Sequence, residues 1–321
     1  MSNSPRKYDT SPYGGNKWTP RIFKHSEEIG NIWTKCGSDS EWKSLKSVLL
    51  HAPGPELDTF RDPDHIQMLS IPDWKLASKQ HENLAHAYRD MGVNPIMVAP
   101  SSTPPPNLIF CADLFFMTPE GAILARPAST IRAGEERWVY QRLAALGIPI
   151  LKTLQNDAVF EGADALWLDS RSVLVGRGLR TNDTAIQQIR LILNLMGIET
   201  IPVDLPIGTM HLMGILRFLD KDLVITWPYR LAWRAVEALR QRGFKILFVP
   251  DDGEASNNGA INFVTLGPRE ILMPAGNPIT QTYLESHGIR CHTVDISELH
   301  KAAGGIGCLT GILERDISSK Y

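Results

Sequence analysis

Residues 165–203 read ALWLDSRSVLVGRGLRTNDTAIQQIRLILNLMGIETIPV, and the fold follows from this stretch. Two short apolar runs, Ala165–Leu168 and Ser172–Gly176, flank the polar turn Asp169-Ser170-Arg171, which is the pattern of a β-hairpin. From Asp183 to Met196 the period changes. Ile186, Ile189, Leu193 and Met196 fall on one face of a helix. Gly197 follows, and glycine accepts the left-handed conformation in which helices stop. Thr200–Val203 then reads as a third strand.

The same order of parts recurs on both sides. Hairpins are expected at Phe110–Thr118 with Ala122–Arg126, at Ile215–Phe218 with Leu223–Trp227, and at Ile261–Thr265 with Glu270–Pro274. Helical patterns follow at Glu135–Leu146, Ala232–Arg242 and Ile279–Ser286, each stopped by a glycine (Gly147, Gly243, Gly288). Strands are expected next, at Ile148–Leu151, Lys245–Val249 and His292–Val294. Upstream, Ser47–His51, the helical Trp74–Met91 and Asn94–Ala99 form a unit without its first strand, which Leu309–Leu313 can supply. Five ββαβ units then close on themselves. The expected fold class is α/β, a five-bladed α/β propeller with pseudo-fivefold symmetry. Closure removes exposed sheet edges and lets one domain run from residue 41 to 321. Residues 1–40 read as an irregular arm, whose Trp18 and Trp33 suggest that parts of it pack on the body. A doubly wound sheet would show single strands between helices, and no glycine-rich nucleotide motif is present.

Composition excludes several classes of function. Of 321 residues 43% are hydrophobic and 21% charged, which is ordinary for a folded globular chain. The net charge of −2, without a Lys/Arg cluster, argues against a nucleic-acid partner. No apolar run reaches the length of a membrane span, and the polar start lacks a secretion signal, so a cytoplasmic location is the default. Cys36, Cys111, Cys291 and Cys308 form no C-x-x-C pair, so free thiols and no zinc cluster are expected. Cys111 and Cys291 lie in strand-like runs and read as structural.

The repeat exposes a constellation. Just before or at the start of each hairpin's first strand stand Asp113, Glu161, His211 and Asn258, with Cys308 before the closing strand, at separations of 48, 50, 47 and 50 residues. Equivalent positions in a ring share a radius, so these side chains are expected to converge on one axis. Each has a bland alternative: Cys308 as a packing thiol, His211 as a structural histidine, Glu161 as a turn carboxylate, Asn258 as a turn former in EASNNGA. Against the first stands the setting GGIGCLTG, whose glycines permit close approach of a ligand. Asp113, in NLIFCADLFF, sits among hydrophobes and needs a cation.

A thiol with an imidazole permits covalent catalysis, with His211 as acid and base. Two carboxylates at the same mouth would oppose an oxyanion, which disfavours a cysteine protease. They suit a reacting group that is positive. Guanidinium is planar, permanently charged and matched to carboxylates by paired hydrogen bonds.

From residue 41 to about 315 the chain resembles the guanidine-modifying (pentein) enzymes: arginine deiminase, dimethylarginine dimethylaminohydrolase and the amidinotransferases. The segments that carry the likeness are EWKSLKSVLLHAPGPEL, PNLIFCADLFF with ILARPAS, FEGADALWL, SVLVGRGLRTN, VPDDGEASNNGAINFV and GGIGCLTGIL. The resemblance implies the five-bladed α/β propeller read above. It implies that Cys308 attacks the guanidinium carbon, that His211 protonates the departing amine and then activates water, and that Glu161 holds the guanidinium and orients His211. Asp113 would bind guanidinium nitrogens. Arg126 in ILARP and Arg180 in LRTN would grip the carboxylate of an arginine-like substrate. No metal or organic cofactor is implied.

Two departures qualify the likeness. EGGD reads EGAD, with Ala163 in place of a glycine. The H-x-D of deiminases and amidinotransferases reads His211-Leu212-Met213. Without that Asp, the pattern tilts toward a substituted guanidine. The leading expectation is hydrolysis of the guanidino group of arginine or an N-substituted arginine. The rivals are an amidinotransferase, which passes the amidino group to an amine, and a non-catalytic guanidine-binding module. Capping of the site and an oligomer contact both remain open for the arm.

Overall fold

The computed structural model describes residues 19–318, in which fifteen strands make five three-stranded sheets. Strands β1 (Leu45–Leu50) and β2 (Asn94–Met97) belong to the first. The second holds β3 (Phe115–Thr118), β4 (Gly121–Leu124) and β5 (Ile150–Thr153); the third, β6 (Ala165–Asp169), β7 (Ser172–Arg177) and β8 (Glu199–Asp204). The fourth holds β9 (Leu216–Asp220), β10 (Leu223–Thr226) and β11 (Lys245–Phe248); the fifth, β12 (Val264–Gly267), β13 (Glu270–Pro274) and β14 (Arg290–Val294). The last strand, β15 (Gly311–Arg315), returns to pair antiparallel with β1, with Val48 opposite Ile312. In every sheet the middle strand has one antiparallel and one parallel neighbour.

A parallel neighbour requires a crossover, and a helix supplies each one. These are α1 (Trp74–Asp90), α2 (Glu136–Ala145), α3 (Asp183–Leu195), α4 (Trp233–Gln241) and α5 (Pro278–Ser286). Their stop glycines, Gly92, Gly147, Gly197, Gly243 and Gly288, have φ of +75, +73, +72, +77 and +77°, the left-handed region expected of them.

Several strand starts differ from the sequence reading by two residues or more, and two of them bear on the site. The strand expected from Phe110 begins at Phe115, because Phe110–Leu114 is wound into a tight turn in which Asp113 N donates to Phe110 O (3.1 Å) and Leu114 N to Cys111 O (3.2 Å). The strand expected from Leu309 begins at Gly311, because Ile306–Leu309 forms a helical turn. Both shifted segments carry site residues.

The core is divided among the sheets, and each cluster draws on two of them. Phe116 and Ile123 of the second sheet pack with Trp167 and Val173 of the third, and Leu166 and Leu174 with Phe218 and Val224 of the fourth. Leu219 and Ile225 pack with Ile271 and Met273 of the fifth. Val48 and Leu50 of the first meet Val264 and Leu272 of the fifth, and Leu49 and Leu313 meet Phe115 and Leu124 of the second. Full burial of one such side chain contributes about 1.5–3 kcal/mol. Residues 34–40 lie against this body: Thr34 N donates to Gly147 O (3.1 Å), Gly37 N to Leu313 O (2.9 Å), and Cys36 is buried. Trp33 is half-buried; Trp18 lies outside the described residues. No helix among the described residues is long and apolar enough to cross a membrane.

Two imidazoles are buried, His81 on α1 and His51 just after β1. His51 and His81 have Nε2 atoms without a hydrogen-bond partner. Burial pushes their pKa values down to about 4 and about 3, so the folded chain keeps them neutral. The unfolded chain protonates them below about pH 6.5. This part of the stability is therefore present above about pH 6.5 and declines as pH falls toward 4, by up to about 1.4 kcal/mol per pH unit for each imidazole. Urea melts between pH 7 and 4 should show a slope that flattens by one imidazole's share in His81→Leu. An unchanged slope would remove His81 from the account.

Candidate active site

One-turn helices ahead of the hairpins hold the site residues. Asp113 ends the turn Cys111–Asp113, Glu161 precedes Gly162–Asp164, His211 precedes Leu212–Gly214, and Cys308 lies in Ile306–Leu309. Gly162 allows two of these turns to meet, since a Cβ there would lie 2.3 Å from Phe115 O and 2.4 Å from Ala112 O. Ala163 is fully buried without needing a glycine's freedom. Asp164 braces the next turn: its Oδ1 accepts from Leu212 N (2.9 Å) and its Oδ2 from Thr181 Oγ1 (2.6 Å).

Asp113, Glu161 and His211 converge, with one ligand-type atom of each within 4.8 Å of the others. His211 Nε2 is 2.6 Å from Glu161 Oε2, while its Nδ1 faces Asp113 Oδ1 at 3.9 Å. Asp113 Oδ1 is buried and has no hydrogen-bond partner. A cavity of about 30 Å³ is lined by Asp113, His211, Cys308, Arg180 and Arg132, so thiol and imidazole share one pit. Arg180 Nη1 donates to Glu161 Oε1 (3.2 Å).

Three participants escaped the sequence reading. Arg132 is buried; its Nη1 donates to Asp113 Oδ2 (2.7 Å) and Glu161 Oε2 (3.5 Å), and its Nε and Nη2 to Glu135 Oε2 (3.0 and 2.9 Å). The R-x-x-E spacing of Arg132 and Glu135 was the available signal. Asn262 holds Cys308: its Nδ2 donates to Cys308 Sγ (3.0 Å) and its Oδ1 accepts from Cys308 N (3.2 Å). A Cβ on Gly305 or Gly307 would strike Asn262, at 2.7 Å from its Cβ and 2.6 Å from its Oδ1 respectively.

Two sequence-level candidates sit elsewhere. Arg126 is exposed, its backbone is bridged to Phe160, and its Nη1 donates to Ala158 O (2.8 Å); it does not line the cavity, and Arg132 stands there with Arg180. Asn258 donates to Gly276 O (3.2 Å), the structural role open to it from the start. The helix Asp252–Asn257 lies ahead of Asn258, and the residue at the thiol is Asn262, four positions beyond Asn258.

Charges set the proton positions. Burial disfavours ionised Glu161, but the hydrogen bond to His211 and the charges of His211, Arg132 and Arg180 outweigh it and hold its pKa below the usual carboxylate range. Burial likewise works against the imidazolium, yet Asp113, Glu161 and Asp164 raise His211 above its usual range. Burial and Asp113 raise the Cys308 thiol, opposed by the Gly305 amide, Asn262 and Arg217. Cys36 and Cys291 are pushed up to about 12 by burial, and Cys111 is raised too, as inert thiols should be. Asp113, Glu161 and His211 offer the donor types of a metal site, but the Arg132 guanidinium already lies on both carboxylates.

Since Asn262 donates to the sulfur, it stabilises the thiolate over the thiol. A hydrogen bond to a charged group contributes about 1.5–3 kcal/mol, or about tenfold or more in an equilibrium. Asn262→Ala is expected to slow iodoacetamide alkylation of Cys308 about tenfold at neutral pH and to move its pH profile upward. A rate within twofold of wild type would deny Asn262 this role.

Fold and site together define a guanidine-modifying enzyme. The profile of the family described as N,N dimethylarginine dimethylhydrolase, eukaryotic, matches residues 60–313. The chain belongs to this family, and it is a hydrolase of carbon–nitrogen bonds in linear amidines. It is 25% identical to the N(G),N(G)-dimethylarginine dimethylaminohydrolase of Pseudomonas aeruginosa over 266 residues, 83% of this chain and 98% of that one. Identity to the Streptomyces coelicolor enzyme of the same name is 27%, over 83% and 96%. Among solved structures, a mutant of the Pseudomonas aeruginosa enzyme complexed with citrulline superposes with a TM-score of 0.70 at 22% identity, covering 85% of this chain and 100% of that one. SxtG, an amidinotransferase from Microseira wollei, also gives 0.70, at 16% identity over 89% and 99%. At these identities the superpositions speak for the fold alone.

Proposed function

We propose that the protein hydrolyses the guanidino group of arginine or of an N-substituted arginine through a covalent adduct on Cys308. One observation carries the reading: Asp113 presents a buried, unpartnered carboxylate oxygen 3.9 Å from His211 Nδ1, in the cavity that Cys308 also lines. A buried acceptor of this kind calls for a donor, and a guanidinium N–H meets the need.

The substrate's cation beside the raised Cys308 thiol favours the thiolate. Sulfur then bonds to the guanidinium carbon, giving a tetrahedral adduct beside Asp113 and Glu161. The C–N bond to the departing nitrogen breaks as His211 donates its proton, leaving an amidino-thioether. Water, deprotonated by His211, forms the new C–O bond, and the C–S bond breaks to release a ureido product and the thiolate. Glu161, bonded to Nε2, orients the ring with Nδ1 toward the substrate. Arg180, which lines the cavity, supplies a cation for a substrate carboxylate; Arg126 lies away from it, and Arg132 is committed to Asp113, Glu135 and Glu161. Residues 41–321 act as one catalytic domain, and the five sheets are the blades of a closed five-bladed propeller. The pairing of β15 with β1 and the packing of the fifth sheet on the first support that closure.

Incubation with arginine, Nω-methylarginine, dimethylarginine and agmatine, followed by mass spectrometry, tests the reading. The arginines are expected to give citrulline with ammonia or an alkylamine, and agmatine the corresponding carbamoyl amine with ammonia. Ornithine formed only when an amine is added would favour amidino transfer. No product, with Cys308 alkylated no faster than Cys291, would leave a binding module.

A further inference from the structure

Two cavities meet at the thiol. Besides the narrow pit with the acids, a second cavity of about 240 Å³ shares Met210, His211, Ala303, Gly304 and Cys308 with it. Its wall differs in kind. Met213, Ile215, Trp227 and Ile261 give it an apolar side, Thr209, Ser256 and Asn262 add uncharged polar groups, and none of its lining residues is Asp or Glu. Arg230 adds a cation, stacked on Trp227 with 4.2 Å from guanidinium carbon to ring centroid. A cavity of about 150 Å³ is large enough for benzene, so this one exceeds what a methyl group fills.

The positive guanidinium belongs in the narrow pit, where Asp113 can neutralise it. His211, the acid that protonates the departing nitrogen, lines both cavities, so a substituent on that nitrogen extends into the larger one. A cationic substituent there would face Arg230, and no lining residue is a carboxylate that could offset the repulsion. We infer that the 240 Å³ cavity is a subsite for a bulky, uncharged or anionic substituent on the departing nitrogen of the guanidine. The inference rests on the hydrolase reading above and narrows its substrate class.

Gly214 offers the test. It lines this cavity, its φ lies outside the left-handed region, and a Cβ there would meet no atom within 4 Å. Gly214→Leu should therefore fold and project into the space, which a thermal melt checks. With wild-type protein, kcat/KM for Nω-benzylarginine should lie within about tenfold of that for Nω-methylarginine, the range that apolar pockets discriminate. Nω-(3-aminopropyl)arginine should fall about 100-fold below its 3-carboxypropyl counterpart. In Gly214→Leu the benzyl-to-methyl ratio should drop about 100-fold. A wild-type enzyme that rejects the benzyl substrate about 100-fold, or a ratio unmoved by Gly214→Leu, would overturn the subsite while leaving guanidine hydrolysis standing. No turnover of any guanidine, arginine included, would overturn the hydrolase reading and the subsite together.

Discussion

Cys308→Ala is expected to abolish turnover, on the order of 10⁴-fold or more, while the protein still folds and binds its guanidine. Losses of this size follow removal of a nucleophile whose partners act as a unit with it. Among the described residues the alternatives are poor: Cys36 and Cys111 are buried, and Cys291 is raised to about 12 by burial. The substitution deletes one half-exposed sulfur, and the acids, His211 and the two arginines keep their bonds to one another. Intact-mass spectrometry during turnover should show an adduct on the wild type and none on the variant. Turnover within tenfold of wild type would take the thiol out of the mechanism.

Arg132→Ala is expected to cost about 3–5 kcal/mol of stability, because it leaves buried carboxylates without their cation. Glu135 is fully buried, and its only cation among the described residues is Arg132; Asp113 is 3% exposed. Removing one partner of such a cluster is worse than removing both. Adding Glu135→Gln to Arg132→Ala should thus recover part of the loss. Urea midpoints at constant slope measure both variants. A loss below about 1 kcal/mol would mean that water or a neighbour already compensates these acids. Substrate binding should also weaken, since the same guanidinium holds Asp113 in place through Oδ2 and leaves Oδ1 to the ligand.

The architecture was legible in the sequence because its determinants are local. A hairpin turn, a helical period and a stop glycine each act within a few residues, and their recurrence every 50 or so positions marks out the five sheets. The same recurrence pointed to Asp113, Glu161, His211 and Cys308, since equivalent places in successive units sit on equivalent turns. Where it failed, the cause was physical. The helix Asp252–Asn257 precedes the fifth hairpin, and the position nearest the thiol is Asn262, not Asn258. Motif likeness favoured Arg126, but its backbone is committed to Phe160 and its side chain to Ala158 O.

The sequence alone determined the ββαβ order, the return of the last strand to the first, and four side chains that the fold gathers around one pit. Tertiary structure alone decided which arginine neutralises the acids, which amide holds the sulfur, and that a second, acid-free cavity opens beside His211. The difference lies in range. Propensity and periodicity are written along the chain. An ion pair such as Arg132 with Asp113 and Glu161 depends on separations of a few ångströms between residues 19 and 29 positions apart, which only the packed sheets establish.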